Sequence, residues 1–242
     1  MTKLHFPRHK PRILLLSFLY RLGKLPLLGK VQKLKLFLNL NWIFWRLSLE
    51  QAVTVYGFSD ISMRRKNLNF LLKNILPEYS VMDIGCKYGD ISSIIAESAK
   101  KVVGVDYDKS AIDKANANHK KDNLVFMHSD AHKYLTSNNE HFDVLILSHL
   151  LEHLDDPKAF LMLFKSYFTY IYIEIPDIDD SYLNHYRIMT GVPLVYSDDD
   201  HIWEFDRDSF MEILSECNIE VLSSEYRYGL QKYWCRSLSL ND

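Results

Sequence analysis

Residues 81–90 read VMDIGCKYGD, an apolar run that ends in an acidic residue and continues into a loop with two glycines. Gly85 and Gly89 allow the backbone to turn tightly and to approach a ligand closely, and a helical pattern begins directly after them. A buried strand, a glycine turn and a helix in this order are typical of the first unit of an open parallel α/β sheet. In such sheets, ligands bind beyond the carboxyl ends of the strands. The stretch therefore predicts both a fold class and the place of a site.

The same alternation of strand and helix continues toward the C-terminus. Strands are predicted at 80–84, 101–106, 124–128, 142–147, 170–175, 220–224 and 233–238, and helices at 61–76, 90–99, 109–119, 157–167 and 206–217. The last two strands have no helix between them, which indicates an antiparallel hairpin at one edge. We expect an α/β fold with a Rossmann-like seven-stranded sheet and helices on both faces. An irregular stretch at 176–200 is expected to form a lid over the site.

The chain divides into two parts of opposite charge. Residues 1–50 contain ten Lys and Arg and a single acidic residue, Glu50, so this segment carries +9 and the remainder carries −11. We predict a basic amphipathic helical segment at 1–55, followed by the α/β domain at 56–242. The three cysteines are far apart in the sequence. Their spacing excludes the usual zinc and disulfide patterns and favours a reducing, cytoplasmic location.

The basic segment also contains two apolar runs, ILLLSFLY at 13–20 and LFLNLNWIFW at 36–45. Both are shorter than the roughly 18 apolar residues that cross a bilayer. Cationic helices with Trp and Leu suit an anionic membrane surface, which would place the chain peripherally on the inner face of the membrane. Two other interpretations stay open: the helices only cap the α/β domain, or they bind nucleic acid.

Four stretches resemble the class I S-adenosylmethionine-dependent methyltransferases, over about residues 68–238. They are DIGCKYG at 83–89, VVGVDYD at 102–108, HSDAHKY at 128–134 and FDVLILSHLLEHLDDP at 142–157. The first is similar to the family's D-x-G-x-G-x-G loop, and Asp106 follows Asp83 by 23 residues. Lys87 departs from the pattern because it stands where the family has its middle glycine. A lysine is costly there if the backbone needs a positive φ.

The resemblance implies that S-adenosylmethionine binds at the carboxyl ends of the first strands. It assigns the ribose hydroxyls to Asp106 and the adenine to Asp130 and Ala131. A carboxylate at a strand end can accept two hydroxyl hydrogen bonds, and the acidic Asp83 suits the cationic amino-acid part of the cofactor better than a phosphate. The complete predicted cofactor set is Asp83, Gly85, Lys87, Gly89, Asp106, Tyr107, Asp130, Ala131 and Ser148.

The predicted catalytic residues follow the fourth strand. Methyl transfer requires an aligned acceptor and, for a hydroxyl, a group that removes or polarises its proton. His149, Glu152 and His153 would share one face if a helical turn begins here. His201 lies in a later loop that is expected over the same sheet edge, and Glu174 ends the fifth strand there.

Two groups of methyltransferases look similar around these residues. Ubiquinone-biosynthesis O-methyltransferases carry E-x-x-E-H after the fourth strand. Small-RNA 2′-O-methyltransferases carry E-x-x-E-H with a later D-H-x-[FW]-E and hold a divalent metal. This chain has HLLEH at 149–153 and DHIWEF at 200–205, so it departs from both groups at His149.

The resemblance implies a metal site of His149, Glu152, His153 and His201. This set would suit Mn²⁺, Fe²⁺, Co²⁺ or Zn²⁺ better than Mg²⁺. Two alternatives stay open: His153 acts as a general base without metal and is held by Glu152, or the turn is purely structural.

The function predicted from these residues is O-methylation of a hydroxyl on a cell-surface sugar or a lipid-linked glycan intermediate. Aromatic and acidic residues of the 176–200 stretch suit a polyhydroxylated acceptor, whereas Asp179 and Asp180 would repel the phosphates of RNA. Nucleic acid is therefore the less favoured partner. A metal-dependent RNA 2′-O-methyltransferase and a catalytically idle, cofactor-binding scaffold at the membrane are the alternatives.

Overall fold

The computed structural model describes residues 14–56, 61–138, 140–192, 198 and 200–238. Its helices are α1 (Leu14–Gly23), α2 (Lys30–Tyr56), α3 (Ile61–Leu72), α4 (Asp90–Ile95), α5 (Lys109–Asn118), α6 (Ala131–Asn138), α7 (Pro157–Phe164), α8 (Tyr182–Thr190) and α9 (Arg207–Glu216). Its strands are β1 (Ser80–Ile84), β2 (Lys101–Asp106), β3 (Leu124–His128), β4 (Phe142–Ser148), β5 (Phe168–Pro176), β6 (Ile219–Arg227) and β7 (Leu230–Ser237). Short 3₁₀ turns lie at Leu151–His153, Lys165–Tyr167 and Ile178–Asp180.

The strands of the described chain form one seven-stranded sheet in the order β3-β2-β1-β4-β5-β7-β6. The pairs from β3 to β5 are parallel, and β7 runs antiparallel to both β5 and β6. This order confirms the predicted α/β fold and the predicted edge hairpin. The strand order reverses between β1 and β4, and the crevice at such a reversal is where open α/β sheets bind ligands.

Alternate residues of the central strands face two separate apolar cores. Met82 and Leu145 belong to the core that includes side chains of α6, α7 and α9. Their neighbours Val81 and Val144 belong to the core that includes side chains of α3, α4 and α5. Burial on both faces explains why these strands read as nearly continuous apolar runs. Polar side chains are therefore displaced to the strand ends.

The expectation of an irregular stretch at 176–200 is wrong, because α8 forms within it. Ser181 caps the helix by accepting a hydrogen bond from the Leu183 N–H, and Gly191 ends it in the left-handed conformation at φ 64°. The apolar period that marks other helices is weak here because the buried side chain of α8, Arg187, is polar. Residues 193–197 and 199 of the same stretch lie outside the described residues.

Most of the other differences from the predicted elements concern their ends. α3 ends at Leu72 and α4 at Ile95, both several residues before the predicted ends, and the chain continues from each as turns. β5, β6 and β7 are longer than predicted. α6 has no predicted counterpart; it begins where Asp130 Oδ1 accepts a hydrogen bond from the Lys133 N–H.

The N-terminal segment is helical, as predicted, in α1 and α2. On α2, Leu38 is buried, Asn41 accepts a hydrogen bond from Arg187 of α8 at 2.7 Å, and Arg46 pairs with Asp198 at 3.0 Å. One face of α2 therefore contacts the α/β domain at α8. None of the described helices is both long and apolar enough to cross a membrane.

The loop between β1 and α4 contains three residues in the left-handed region, Gly85 (φ 76°), Lys87 (φ 45°) and Gly89 (φ 77°). A side chain on Gly89 would clash with the ring of Phe126 and would approach Ala115 Cβ to 3.2 Å. Glycine is therefore required at 89 for both its conformation and its packing. Lys87 adopts the same region with a side chain, which costs roughly 1 kcal/mol.

We predict opposite stability effects for two substitutions in this loop. Gly89→Ala should lower the free energy of unfolding by about 2–4 kcal/mol, since the new methyl group meets Phe126 and the backbone stays left-handed. Lys87→Gly should raise it by up to about 1 kcal/mol because the strain is relieved. Urea unfolding followed by circular dichroism measures both, and a Gly89→Ala chain as stable as the original would contradict the described loop.

Candidate active site at the carboxyl edge of the sheet

Four acidic side chains converge at the carboxyl edge of the sheet. Asp83 and Asp106 lie at the ends of β1 and β2, Glu174 near the end of β5, and Glu152 in the 3₁₀ turn after β4. All four are buried, with exposures of 3%, 6%, 2% and 0% respectively. Moving an ionised carboxylate out of water without a partner costs several kcal/mol of free energy. The partners of these four groups therefore define the site.

Asp83 lies deepest of the cofactor residues. Its carboxylate accepts a hydrogen bond from Ser92, a buried residue of α4. Burial raises the pKa of Asp83 to about 7 against the opposing effect of the Ser92 hydrogen bond, and the nearby charge of Asp106 adds to the increase. A bound cation would favour the ionised form of this group. Sequence reasoning missed Ser92, since nothing in its local pattern separates it from an ordinary helix residue.

Asp106 is held by two backbone N–H groups. Its Oδ1 accepts from Asp108 at 2.8 Å and its Oδ2 accepts from Lys87 at 2.9 Å. The turn that strains Lys87 therefore also delivers a hydrogen-bond donor to Asp106. Each carboxylate oxygen has two lone pairs, so both can still accept from a hydroxyl pair. This fits the ribose contact that the sequence predicts.

The remaining predicted cofactor residues flank this acidic pair. The Ser129 N–H donates to the Asp106 carbonyl at 3.1 Å, which brings the start of α6, with the exposed Asp130 and the buried Ala131, beside the end of β2. Tyr107 is 84% exposed. Ser148 donates its hydroxyl to Glu174 Oε1 at 3.1 Å, so its side chain supports the site through Glu174. The ligand contacts of these residues stay predictions.

His149 lies between two of the buried carboxylates. Its Nδ1 is 3.1 Å from Glu152 Oε1 and its Nε2 is 3.6 Å from Glu174 Oε1. Burial would lower the pKa of His149, but the hydrogen bond with Glu152 and the charges of Glu174 and Glu152 outweigh it and raise the pKa. The charge of Lys87 acts in the opposite direction. Glu174 also accepts from the Tyr172 hydroxyl at 2.7 Å.

The predicted helical turn at 149–153 is wrong in detail. The chain forms a three-residue 3₁₀ turn at Leu151–His153, and His149 precedes it with a left-handed φ of 52°. His149 reaches Glu152 through this backbone reversal and not through the stacking of one helical face. His149 contacts Glu152 and Glu174, whereas His153 contacts the Asp200 carbonyl.

Glu152, His153 and His201 form a second cluster, in which one ligand atom from each lies within 4.8 Å of the others. The rings of His153 and His201 are 4.8 Å apart. His149 does not belong to this group, so the four-residue metal set predicted from the sequence reduces to three. Asp198, Asp200 and His201 form an overlapping, more exposed group.

Oxygen atoms orient both histidines of the second cluster. His153 Nδ1 lies 3.2 Å from the Asp200 carbonyl oxygen, and His201 Nδ1 lies 3.0 Å from Glu204 Oε1. Because a carbonyl only accepts, His153 Nδ1 carries the proton, and in the neutral ring Nε2 holds the lone pair. Glu152 Oε2 is buried and has no hydrogen-bond partner in the described structure.

A backbone connection brings the distant DHIWEF motif to this place. The Glu152 carbonyl accepts from the N–H groups of Ile202 and Trp203, at 2.8 and 3.1 Å, and the Trp203 indole donates to the Leu154 carbonyl at 2.9 Å. The segment that carries His201 is thus docked directly onto the turn after β4. Glu204, which orients His201, is the residue of this motif that sequence reasoning left without a role.

Comparison with known proteins identifies similar families and folds. A family model described as a methyltransferase domain matches residues 42–224. The structure of magnesium protoporphyrin IX methyltransferase from Synechocystis PCC 6803 with bound S-adenosylhomocysteine is similar with a TM-score of 0.56 and 14% sequence identity. That similarity covers 79% of this chain and 94% of that one.

Two curated relatives match over shorter stretches. An uncharacterized RNA methyltransferase from Mycoplasma mobile is 31% identical over 115 residues, which cover 44% of this chain and 32% of that protein. A ubiquinone biosynthesis O-methyltransferase from Coxiella burnetii is 34% identical over 83 residues, which cover 34% of this chain and 35% of that protein. The chain thus spans about a third of the length of these relatives.

We predict that Asp83→Asn stabilises the fold at high pH and weakens ligand binding. The folded pKa of Asp83, about 7, lies above its ordinary value, so stability falls as pH rises from about 4 through 7. Asparagine does not ionise, so it removes this loss of stability, and its amide oxygen can still accept the hydrogen bond from Ser92. The unfolding free energy should rise by about 2–4 kcal/mol at pH 8, and by only about 1–2 kcal/mol at pH 5, where less of the loss has developed.

Thermal melts at the two pH values measure the effect, and calorimetry with S-adenosylhomocysteine measures binding. Asp113→Asn, at an exposed position of α5, is the matched control and should change neither quantity. Equal gains for Asp83→Asn at pH 5 and pH 8 would show that the buried carboxylate is not the cause.

Proposed function

We propose that this chain, which belongs to the methyltransferase domain family and is an S-adenosylmethionine-dependent methyltransferase, methylates a hydroxyl group of a sugar or a lipid-linked glycan. The cofactor, when bound, supplies a methyl group on a positively charged sulfur that is already reactive. The chain's own residues must then align the acceptor and handle its proton. The observation that carries the proposal is the orientation of His153 beside the buried Glu152.

His153 is the residue best suited to take the acceptor proton. Its Nδ1–H donates to the Asp200 carbonyl, so the lone pair on Nε2 is available as the base. A hydroxyl acceptor needs such a base, because an alcohol is a weak nucleophile until its proton is removed or polarised. An oriented imidazole at the edge where the cofactor residues meet therefore favours O-methylation.

His149 and Glu152 serve as positioning residues in this proposal. Both ring nitrogens of His149 face carboxylate oxygens, on Glu152 and Glu174, so neither faces an acceptor. Glu152 is fully buried, and its backbone carbonyl holds the segment that carries His201. In this proposal the pair joins Glu174, near the cofactor residues, to the segment that carries His201 and holds both in position.

The second cluster also fits a divalent cation. Glu152 Oε2, His153 and His201 would hold it, and the buried oxygen without a hydrogen-bond partner is the observation that supports the fit. The oxygen atoms that orient the two Nδ1 groups match the outer-shell partners usual for metal-bound histidine. A cation held here would polarise the acceptor hydroxyl and lower its pKa, with His153 then acting as a ligand.

The segment that contains α8, which we expect to lie over the site, suits an acceptor with many hydroxyl groups. Tyr182 and Tyr186 of α8 are exposed, at 85% and 46%, and aromatic rings of this kind can stack on sugar faces. The acidic groups nearby, Asp179 and Asp180 before α8 and Asp200 after it, would repel an RNA backbone. The similarity to an RNA methyltransferase keeps RNA as the acceptor to be tested against.

We predict that methyl transfer is found in the glycolipid fraction and depends on His153. Incubation with tritium-labelled S-adenosylmethionine and separate glycolipid, RNA and protein fractions measures the acceptor class. His153→Gln should lower kcat by about 100- to 10,000-fold, as expected for loss of a general base, without loss of cofactor binding. His141→Gln, at the opposite end of β4, is the matched control and should leave activity unchanged. Label in RNA alone would overturn the proposed acceptor.

We predict that the folded chain binds one Co²⁺ or Mn²⁺ at the second cluster. Calorimetry with either ion should detect binding that is lost in His201→Gln and in Glu152→Gln, since each removes one ligand. His185→Gln, a histidine of α8 paired with Asp179, is the control and should retain it. Absence of binding by the original chain at micromolar ion concentration would exclude the metal and leave His153 as the base.

A further inference from the structure

More than half of the large apolar side chains that are exposed in the described chain belong to α1, α2 and the turn between them. α1 has no buried residue, and Leu14, Phe18 and Tyr20 are exposed at 82%, 62% and 67%. A continuous apolar surface of this kind is rare on monomeric proteins and marks contact with another apolar surface. These exposed side chains of α1 and α2 therefore form a candidate docking surface.

Opposite faces of α2 have different surroundings. The inward stripe is buried or half-buried and consists of Leu38, Trp42 and Arg46. The outward stripe is exposed and consists of Phe37, Leu40, Phe44 and Leu47. At about 3.6 residues per turn the two stripes lie on opposite sides of the helix. The apolar stripe that would normally face a protein core thus faces away from it.

Cations accompany the apolar side chains. The described part of the segment, residues 14–56, contains six Lys and Arg and one acidic residue, Glu50. Arg21 lies in the last turn of α1, and Lys30 and Lys33 lie in the first turn of α2. Anionic lipid headgroups attract such cations while neighbouring apolar side chains enter the boundary between headgroups and acyl chains.

We propose that α1 and the outward stripe of α2 bind the anionic surface of a membrane, whichever acceptor the enzyme uses. A second copy of the chain is a poorer occupant, because a symmetric contact would bring the two sets of cations together. Nucleic acid is a poorer occupant, because phosphates gain nothing from rows of exposed Leu and Phe side chains.

The side of α2 that faces the α/β domain keeps the catalytic domain attached to this surface. Asn41 accepts from Arg187 of α8, and Arg46 pairs with Asp198, three residues before His201. In this proposal the membrane contacts the side of α2 that is opposite to α8. The contact of Arg46 with Asp198 joins the same helix to the segment that carries His201.

Co-sedimentation of the full chain with vesicles of phosphatidylcholine, with or without phosphatidylglycerol, tests the proposal. We expect binding to the anionic vesicles that exceeds binding to the neutral ones and weakens as salt rises. The double variant Phe44→Ser, Leu47→Ser and the variant Lys30→Glu should each bind about tenfold more weakly. Both are compatible with the fold, since the apolar pair is exposed and an acidic residue suits a helix N-terminus.

Matched controls change equally exposed residues far from α1 and α2. They are the double variant Met162→Ser, Leu163→Ser on α7 and the variant Lys120→Glu after α5. Circular dichroism and binding of S-adenosylhomocysteine establish that each variant is folded. Equal vesicle binding by variants and controls would overturn the proposal. A dimer in light scattering without vesicle binding, or binding of RNA in place of vesicles, would overturn it as well.

Discussion

The burial of four carboxylates at one edge of the sheet is the constraint on which the rest of the site depends. A parallel sheet covered on both faces leaves its strand ends as the place where charge can collect. Asp106 is satisfied by backbone N–H groups and Asp83 by a hydroxyl. Glu174 accepts from the hydroxyls of Tyr172 and Ser148, and one oxygen of Glu152 pairs with His149. The contacts of Asp106 with the Lys87 N–H and of Glu152 with His149 hold the turns that follow β1 and β4.

The fold follows from short-range features of the sequence, and the interior of the site does not. Strand and helix periods, the glycine loop and the edge hairpin are local signals, and they predict the architecture well. The contact of Ser92 with Asp83 and that of Ile202 with the Glu152 carbonyl join residues from different elements. Such contacts depend on how elements pack, which no local pattern encodes.

Two failures of sequence reasoning have separate physical causes. The apolar period does not predict α8, because this helix buries an arginine where other helices bury apolar side chains. Only Ser181 and Gly191 mark its ends in the sequence. The prediction that His149 shares one helical face with Glu152 and His153 fails because the backbone of His149 is left-handed. The apolar period assumes that a helix buries apolar side chains, and α8 does not. Helical spacing assumes a regular helical backbone, and the turn at His149 does not have one. One side of α2 contacts the α/β domain and the opposite side is exposed. The two interpretations of this segment, capping of the domain and contact with an outside surface, therefore apply to different sides of the same helix.

The cost of burying Asp83 links the stability of the fold to ligand binding. At neutral pH the fold without ligand bears the cost of a carboxylate whose pKa has been raised to about 7 by burial. A ligand that binds only the folded state offsets that cost by mass action. Cellular proteases cut the open form in proportion to its population. The chain without a bound ligand is therefore expected to open more often, and to be cut by proteases faster, than the same chain with its ligand bound.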